Sequence, residues 1–137
     1  MTQRHWIASY GDVPADINPD AYPSVVALAE DAMSGYAGRT AFVGGGQALS
    51  YADIDARSRD FCAWLQSVGV KKGDRVAVML PNIMAFPVAF LGIARAGAVQ
   101  VNVNPLYTPR ELEHQLADSG SELIVIYAGA LPTLTAI

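Results

Sequence analysis

Across residues 75–127, three short apolar runs alternate with two segments of helical character, and no other feature constrains the fold as tightly. The first run, RVAVML at 75–80, shows no polar alternation. Unbroken apolar strands belong to parallel sheets covered on both faces. The second run is AVQVNV and the third is ELIVIY at 122–127. Strands joined by short helical crossovers run parallel with right-handed connections. The pattern therefore predicts an α/β chain built on a β-α-β-α-β parallel-sheet unit.

The first crossover follows Pro81-Asn82, where Asn82 offers a cap for a helix reaching about Ala96 and ended by Gly97. IMAFPVAFLGIA makes that helix apolar almost all round, so it expects partners on several sides. Pro87 lies too deep for a first turn that starts at Asn82, which predicts a kink or a late start. The second crossover carries a well-specified helix start. Thr108 sits at N-cap, Pro109 at N1 and Glu111 at N3, a capping box with proline where its missing N–H costs nothing. Tyr107 can staple onto Leu112, and Gly120 closes the helix.

Upstream, Gly11, Pro14, Pro19 and Pro23 mark residues 1–23 as an irregular arm laid over other elements, with Trp6 and Tyr10 as anchors. Ser24 caps a helix that Gly35 or Gly38 ends. Gly44-Gly45-Gly46 lies between two short apolar runs. No Lys-Ser/Thr pair follows, so a hairpin turn is expected rather than a phosphate loop. Ser50, three residues before Asp53, opens a helix with Ile54, Phe61, Leu65 and Val68 on one face. Trp64 reads as a packing aromatic. The expected order is thus a helix, a hairpin, a second helix and then the parallel unit. The final AGALPTLTAI looks like a loop entering another helix without a stop signal, which points to truncation.

Composition narrows the function classes. The chain of 137 residues is 52% hydrophobic and 16% charged, which excludes wholesale disorder. A formal net charge of -4 with no basic cluster disfavours nucleic acid as a partner. The longest apolar run falls short of the roughly 20 residues of a membrane span. Cys62, the single cysteine, excludes an intrachain disulfide and a cysteine metal site, and reads as a buried, inert thiol that fits a reducing cytoplasm. There is no GxGxxG after a strand and no Walker A sequence, and His5 and His114 have no evident partners. His114 belongs on a solvated helix face.

Ligands of open parallel sheets bind beyond the carboxyl ends of the strands. Asn82, Asn102, Asn104 and Tyr107 fall at that edge. Caps and turns use the same residue types, so both a structural and a binding role stay open from the residues alone.

The stretches ALSYADIDARSRDFCAWLQSVGVKKGDRVAVMLPN and FPVAFLGIARAGAVQVNVNPLYTPRELEHQLADSG resemble the N-terminal region of AMP-forming acyl-CoA ligases, within the adenylate-forming superfamily. NPLYTPRELEHQL is most similar to the bacterial long-chain fatty-acid–CoA ligases, and DVPADINP is similar to their N-terminal arm. The resemblance implies that residues 24–137 are a truncated N-terminal part of the large adenylate-forming domain. It implies an intact enzyme that uses ATP, Mg²⁺ and CoA on a fatty acid by way of an acyl-adenylate. It implies a cytoplasmic protein without a transmembrane segment, compatible with peripheral contact at the inner membrane face. The family's phosphate motif, nucleotide-binding motifs and catalytic lysine have no counterpart here. No catalytic and no metal-ligating residue is therefore assigned, and the chain alone is expected to be inactive, to bind none of these cofactors and to self-associate. In related ligases the loop after the second strand lies near the CoA entrance, which carries over to Asn104, Pro105, Leu106 and Tyr107. A ligase for an aryl or short-chain acid and a stand-alone interaction module are the alternatives.

Overall fold

The computed structural model describes residues 4–137. Helix α1 spans Val25–Gly35, strands β1 and β2 Thr40–Gly44 and Gln47–Ser50, and helix α2 Tyr51–Ser67. The parallel unit follows as β3 Arg75–Met79, α3 Ala85–Arg95, β4 Val99–Asn102, α4 Pro109–Ser119 and β5 Leu123–Ile126. A 3-10 turn, Ala128–Ala130, leads into the short helix α5, Leu131–Leu134.

The parallel sheet has the order β4-β3-β5. Val76 pairs with Gln100 on one side and Leu123 on the other. The first strand in sequence is thus the central one, which is why its residues are the unbroken apolar run. Val76, Ala77, Val78 and Met79 are all essentially inaccessible. Alternate residues of β3 feed separate cores. Val76, Val78 and Leu80 pack with Leu65, Ala89 and Ile93 from α2 and α3. Ala77 and Met79 pack with Val103, Leu112 and Ala130 on the opposite face. None of the residues of β5 is fully buried.

Helices α2 and α3 touch through a glycine. A Cβ on Gly92 would lie 2.6 Å from Phe61 Cδ1 and 3.1 Å from the Ser58 carbonyl oxygen, so only glycine permits this approach. Above that contact the Arg95 guanidinium donates from Nη1 to Glu30 at 2.9 Å and from Nη2 to Asp55 at 2.6 Å. Arg59 donates to the same two carboxylates. One ionic cluster therefore ties α1, α2 and α3 together. A third core of Met33, Leu49 and Ile54 joins α1, the hairpin and α2.

Local signals behave as the sequence predicts. Ser24 Oγ accepts from the Ala27 amide, and Ser50 with Asp53 forms a complete capping box. The hairpin turns on Gly45 and Gly46, whose φ of 57° and 75° is costly for any residue with a side chain. His114 is exposed.

Four expectations are corrected. Asn82 does not cap α3, whose N-cap is Met84 with no side-chain hydrogen bond. The reason is Pro87. A helix starting at Asn82 would need its missing N–H and would set its ring against a carbonyl, whereas a start at Ala85 places Pro87 in the first turn, where neither penalty applies. Trp6 and Tyr10 do not anchor the N-terminal segment, being 57% and 37% exposed. That segment closes its own turns, with Ile7, Tyr10 and Val13 amides donating three residues back. Its tie to the rest runs through Tyr22, whose hydroxyl donates to Asp31 at 2.7 Å. Cys62 is half-buried rather than buried. Val68 is the C-cap of α2 and about half exposed, not part of its packed face.

Candidate functional site at the carboxyl edge of the sheet

The loop after β3 leads to α3 on one face of the sheet. The loops after β4 and β5 lead to α4 and α5 on the other, as the two cores record. The chain thus parts on both sides of β3 at its carboxyl end, the place where open α/β sheets gather ligands.

Three loops meet this edge. The first contains Pro81, Asn82 and Ile83, with the Ile83 amide donating to the Pro81 carbonyl at 2.7 Å. The second contains Asn104, Pro105, Leu106 and Tyr107. Asn104 Oδ1 accepts from the Leu106 amide at 3.0 Å, and the Asn104 carbonyl accepts from the Tyr107 amide at 3.1 Å. Asn104 therefore folds the loop through its two oxygens, while its exposed Nδ2 has no hydrogen-bond partner among the described residues. Leu106 projects into solvent at 87% exposure. Tyr107 is half-buried against the core that contains Leu112, as a staple residue should be.

Immediately beyond, Glu111 accepts from the Thr108 amide at 2.8 Å, completing the capping box with Thr108. Hydrogen bonds from the Thr108 backbone and then its hydroxyl hold the Glu111 carboxyl below its ordinary range. Asn102 is likewise engaged. Its Oδ1 accepts from Gln100 Nε2 at 2.7 Å, and its backbone carbonyl accepts from Gln115 Nε2 at 2.8 Å.

The third loop was not foreseen as part of the edge. The Tyr127 amide donates to the Met79 carbonyl at 3.0 Å, and the Tyr127 ring stands over Gly129 so closely that a Cβ there would sit 2.3 Å from it. The available signal was the aromatic that ends ELIVIY, followed by a small-residue pair.

This edge brings together amides, two phenols and apolar groups. It lacks what a metal-bound triphosphate needs. Gly44-Gly45-Gly46 closes an antiparallel hairpin instead of opening a helix, and no Lys-Ser/Thr pair follows it. Among the described residues no group of three or more His, Cys, Asp or Glu is placed to hold a metal ion. The residues of this chain therefore do not fit a nucleotide–metal complex by themselves, and no chemical step is derived through one.

Residues 29–136 match the family model described as AMP-binding enzyme. The chain belongs to that family. It is 54% identical over 131 residues to a long-chain-fatty-acid–CoA ligase of Salmonella typhimurium (strain LT2), an alignment covering 94% of this chain and 23% of the relative. Among solved structures, the fold matches a Mycobacterium tuberculosis fatty acyl CoA synthetase with a TM-score of 0.76 and 30% identity, over 80% of this chain and 22% of that one. It also matches the anthranilate CoA ligase AuaEII in complex with anthranoyl-AMP, with a TM-score of 0.81 over 93% of this chain and 23% of that one. At 23% identity that last likeness speaks for the fold alone. The chain thus spans about a quarter of the length of the relatives it matches. The α/β fold with its three-stranded parallel sheet and hairpin is that of the N-terminal region of adenylate-forming enzymes.

Proposed function

We propose that this chain forms the N-terminal part of an AMP-forming long-chain fatty-acid–CoA ligase. Residues 1–23 are its arm and residues 24–137 open its large adenylate-forming domain. The observation that carries the reading is 54% identity extending over nearly the whole chain to an enzyme of that name. In the reaction, a fatty-acid carboxylate oxygen bonds to the α-phosphorus of ATP and pyrophosphate leaves. The CoA sulfur then attacks the acyl carbon and AMP departs. Mg²⁺ offsets the phosphate charge in such chemistry. The residues for those steps belong to the remainder of the enzyme. This chain contributes the sheet edge from which the loops hang.

Asn104, Pro105, Leu106 and Tyr107 border the path of CoA in this proposal. Their support is their position at the carboxyl edge and the exposure of Asn104 and Leu106 there. The protein works in the cytoplasm, with peripheral contact at the membrane face that delivers its substrate. No helix among the described residues is long and apolar enough to cross a membrane.

The test uses the enzyme at the full length of its relatives. Palmitate should support both ATP–pyrophosphate exchange and thioester formation far better than benzoate or acetate, and a preference for either of those acids overturns the substrate class. Tyr107→Ala should slow thioester formation more than exchange. Equal losses that follow a fall in stability would reduce Tyr107 to its staple. The 137-residue chain alone should form no acyl-adenylate, and micromolar ATP binding in a calorimeter would contradict that.

A further inference from the structure

Two members of the glycine triplet are needed for the hairpin turn, but Gly44 is not, since its φ is not positive. Its missing side chain has a different effect. A hollow of about 290 Å³ lies between the hairpin and the turn into α3. Phe42, Val43 and Gly44 wall it on one side, and Ile83, Met84 and Phe86 on the other. A Cβ on Gly44 would stand 3.6 Å from Met84 Cγ, an ordinary contact. A larger residue at this position would therefore fill the hollow rather than strain the backbone.

We propose that this hollow binds the hydrocarbon portion of a neutral or weakly polar aliphatic amphiphile, an alkyl chain whose polar end stays at the mouth. The lining dictates the class. It contains no charged side chain, so nothing there would hold a phosphate or select a carboxylate. Asn82 is its one polar side chain and suffices for a single hydrogen bond to a hydroxyl or carbonyl. The volume lies at the lower end of small-molecule sites, about 300–1,000 Å³, which is too small for a nucleotide and enough for part of a chain. Phe42, Val43 and Ile83 are 44%, 77% and 39% exposed, so apolar walls face water until something covers them. Met84, unbranched and pliable, can adjust to chains of differing length. The proposal rests on the lining and volume and does not use the ligase reading.

The experiment is a titration of the ¹⁵N-labelled 137-residue chain with 1-butanol, 1-hexanol, 1-octanol and octanoate. Saturable shifts should concentrate on the amides of Gly44, Ile83 and Met84. Affinity should rise about fourfold per added methylene until the hollow is full and then level off. Octanoate should bind within about threefold of octanol, because one hydrogen bond without a cation discriminates little. Gly44→Leu should abolish the shifts while the remaining spectrum is unchanged. Val43→Asp, at a position too exposed to endanger folding, should weaken binding at least about tenfold, the loss expected when a charge borders an apolar contact. Shifts scattered over the surface without saturation, or undiminished binding in both variants, would overturn the site. A strong preference for octanoate would overturn the ligand class.

Discussion

Arg95→Met is the most informative single change in the scaffold. The Arg95 side chain is 6% exposed and bridges Glu30 on α1 to Asp55 on α2. Methionine keeps much of the apolar stem and removes only the guanidinium. Two charge-assisted hydrogen bonds disappear, each contributing about 1.5–3 kcal/mol. Against this, Arg95 Nε is buried without a partner, and losing it relieves a desolvation cost of about 1–3 kcal/mol. The stranded carboxylates are not sealed from water either. Glu30 is 41% and Asp55 32% exposed, and Arg59 still bonds both. The net loss should therefore be about 1–3 kcal/mol, below the roughly 3–5 kcal/mol of a fully sealed pair. Acid supplies a second signature. Burial alone would raise the Asp55 pKa, but the hydrogen bond and charge of Arg59, then those of Arg95, hold it below the ordinary value. A depressed folded pKa stabilises the protein above the unfolded value, about 3.9, and that contribution fades as pH falls through the folded value. The stability gap between the parent chain and Arg95→Met should thus be full at pH 7 and narrow below about pH 4. Urea unfolding at pH 7 and pH 3.5, with Asp55→Asn completing a double-mutant cycle, measures both. A coupling of at least about 1 kcal/mol is expected. No loss at pH 7, a coupling within about 0.5 kcal/mol of zero, or a gap that widens in acid would refute the bridging role.

Gly92→Ala forces a methyl into Phe61 and the Ser58 carbonyl and should cost about 1–3 kcal/mol in thermal or urea unfolding, whereas unchanged stability would mean that α2 and α3 slide apart freely. Thr108→Ala should cost about 0.5–2 kcal/mol and fray the first turn of α4 in hydrogen exchange, and full protection there would show that Pro109 alone fixes the helix start. The 137-residue chain should self-associate through the unpaired edges of β4 and β5, read as concentration-dependent mass in sedimentation equilibrium. A strict monomer at high micromolar concentration would contradict this.

What could be read from the residues follows the distance between cause and effect. The Thr108–Glu111 and Ser50–Asp53 boxes close within three residues, so four letters suffice to see them. The hairpin was equally plain, because its glycines act on their own backbone. The conflict between Pro87 and a start at Asn82 is legible in the residues, but whether the helix bends or begins later is not. The composition of RVAVML announced a strand covered on both faces, yet its place between β4 and β5 depends on which way each crossover turns. The Arg95 cluster was invisible because its partners lie 65 and 40 residues away in sequence. Asn104 and Tyr107 lie in the loop between β4 and α4, a placement that follows from the strand and helix signals around them. That Asn104 Oδ1 accepts from its own loop, at the Leu106 amide, is apparent only from the hydrogen bonds. Tyr127 was overlooked because a strand-ending aromatic carries no spacing signal of its own.

The central position of β3 also shapes how the protein must be made. A strand buried on both faces and both edges leaves the ribosome before anything that will cover it on the sheet side. Gln100 and its neighbours on β4 follow only after α3 has been synthesised, and Leu123 on β5 only after α4. At about 5–20 residues per second, β3 spends on the order of seconds without its final neighbours. Early cover comes from what is already made, Phe61 and Leu65 of α2 and Val70 just after it. Variants that weaken α2 should therefore lower soluble yield in cells more than their effect on the finished fold would suggest. Slower translation between α3 and β5 would lengthen the same window.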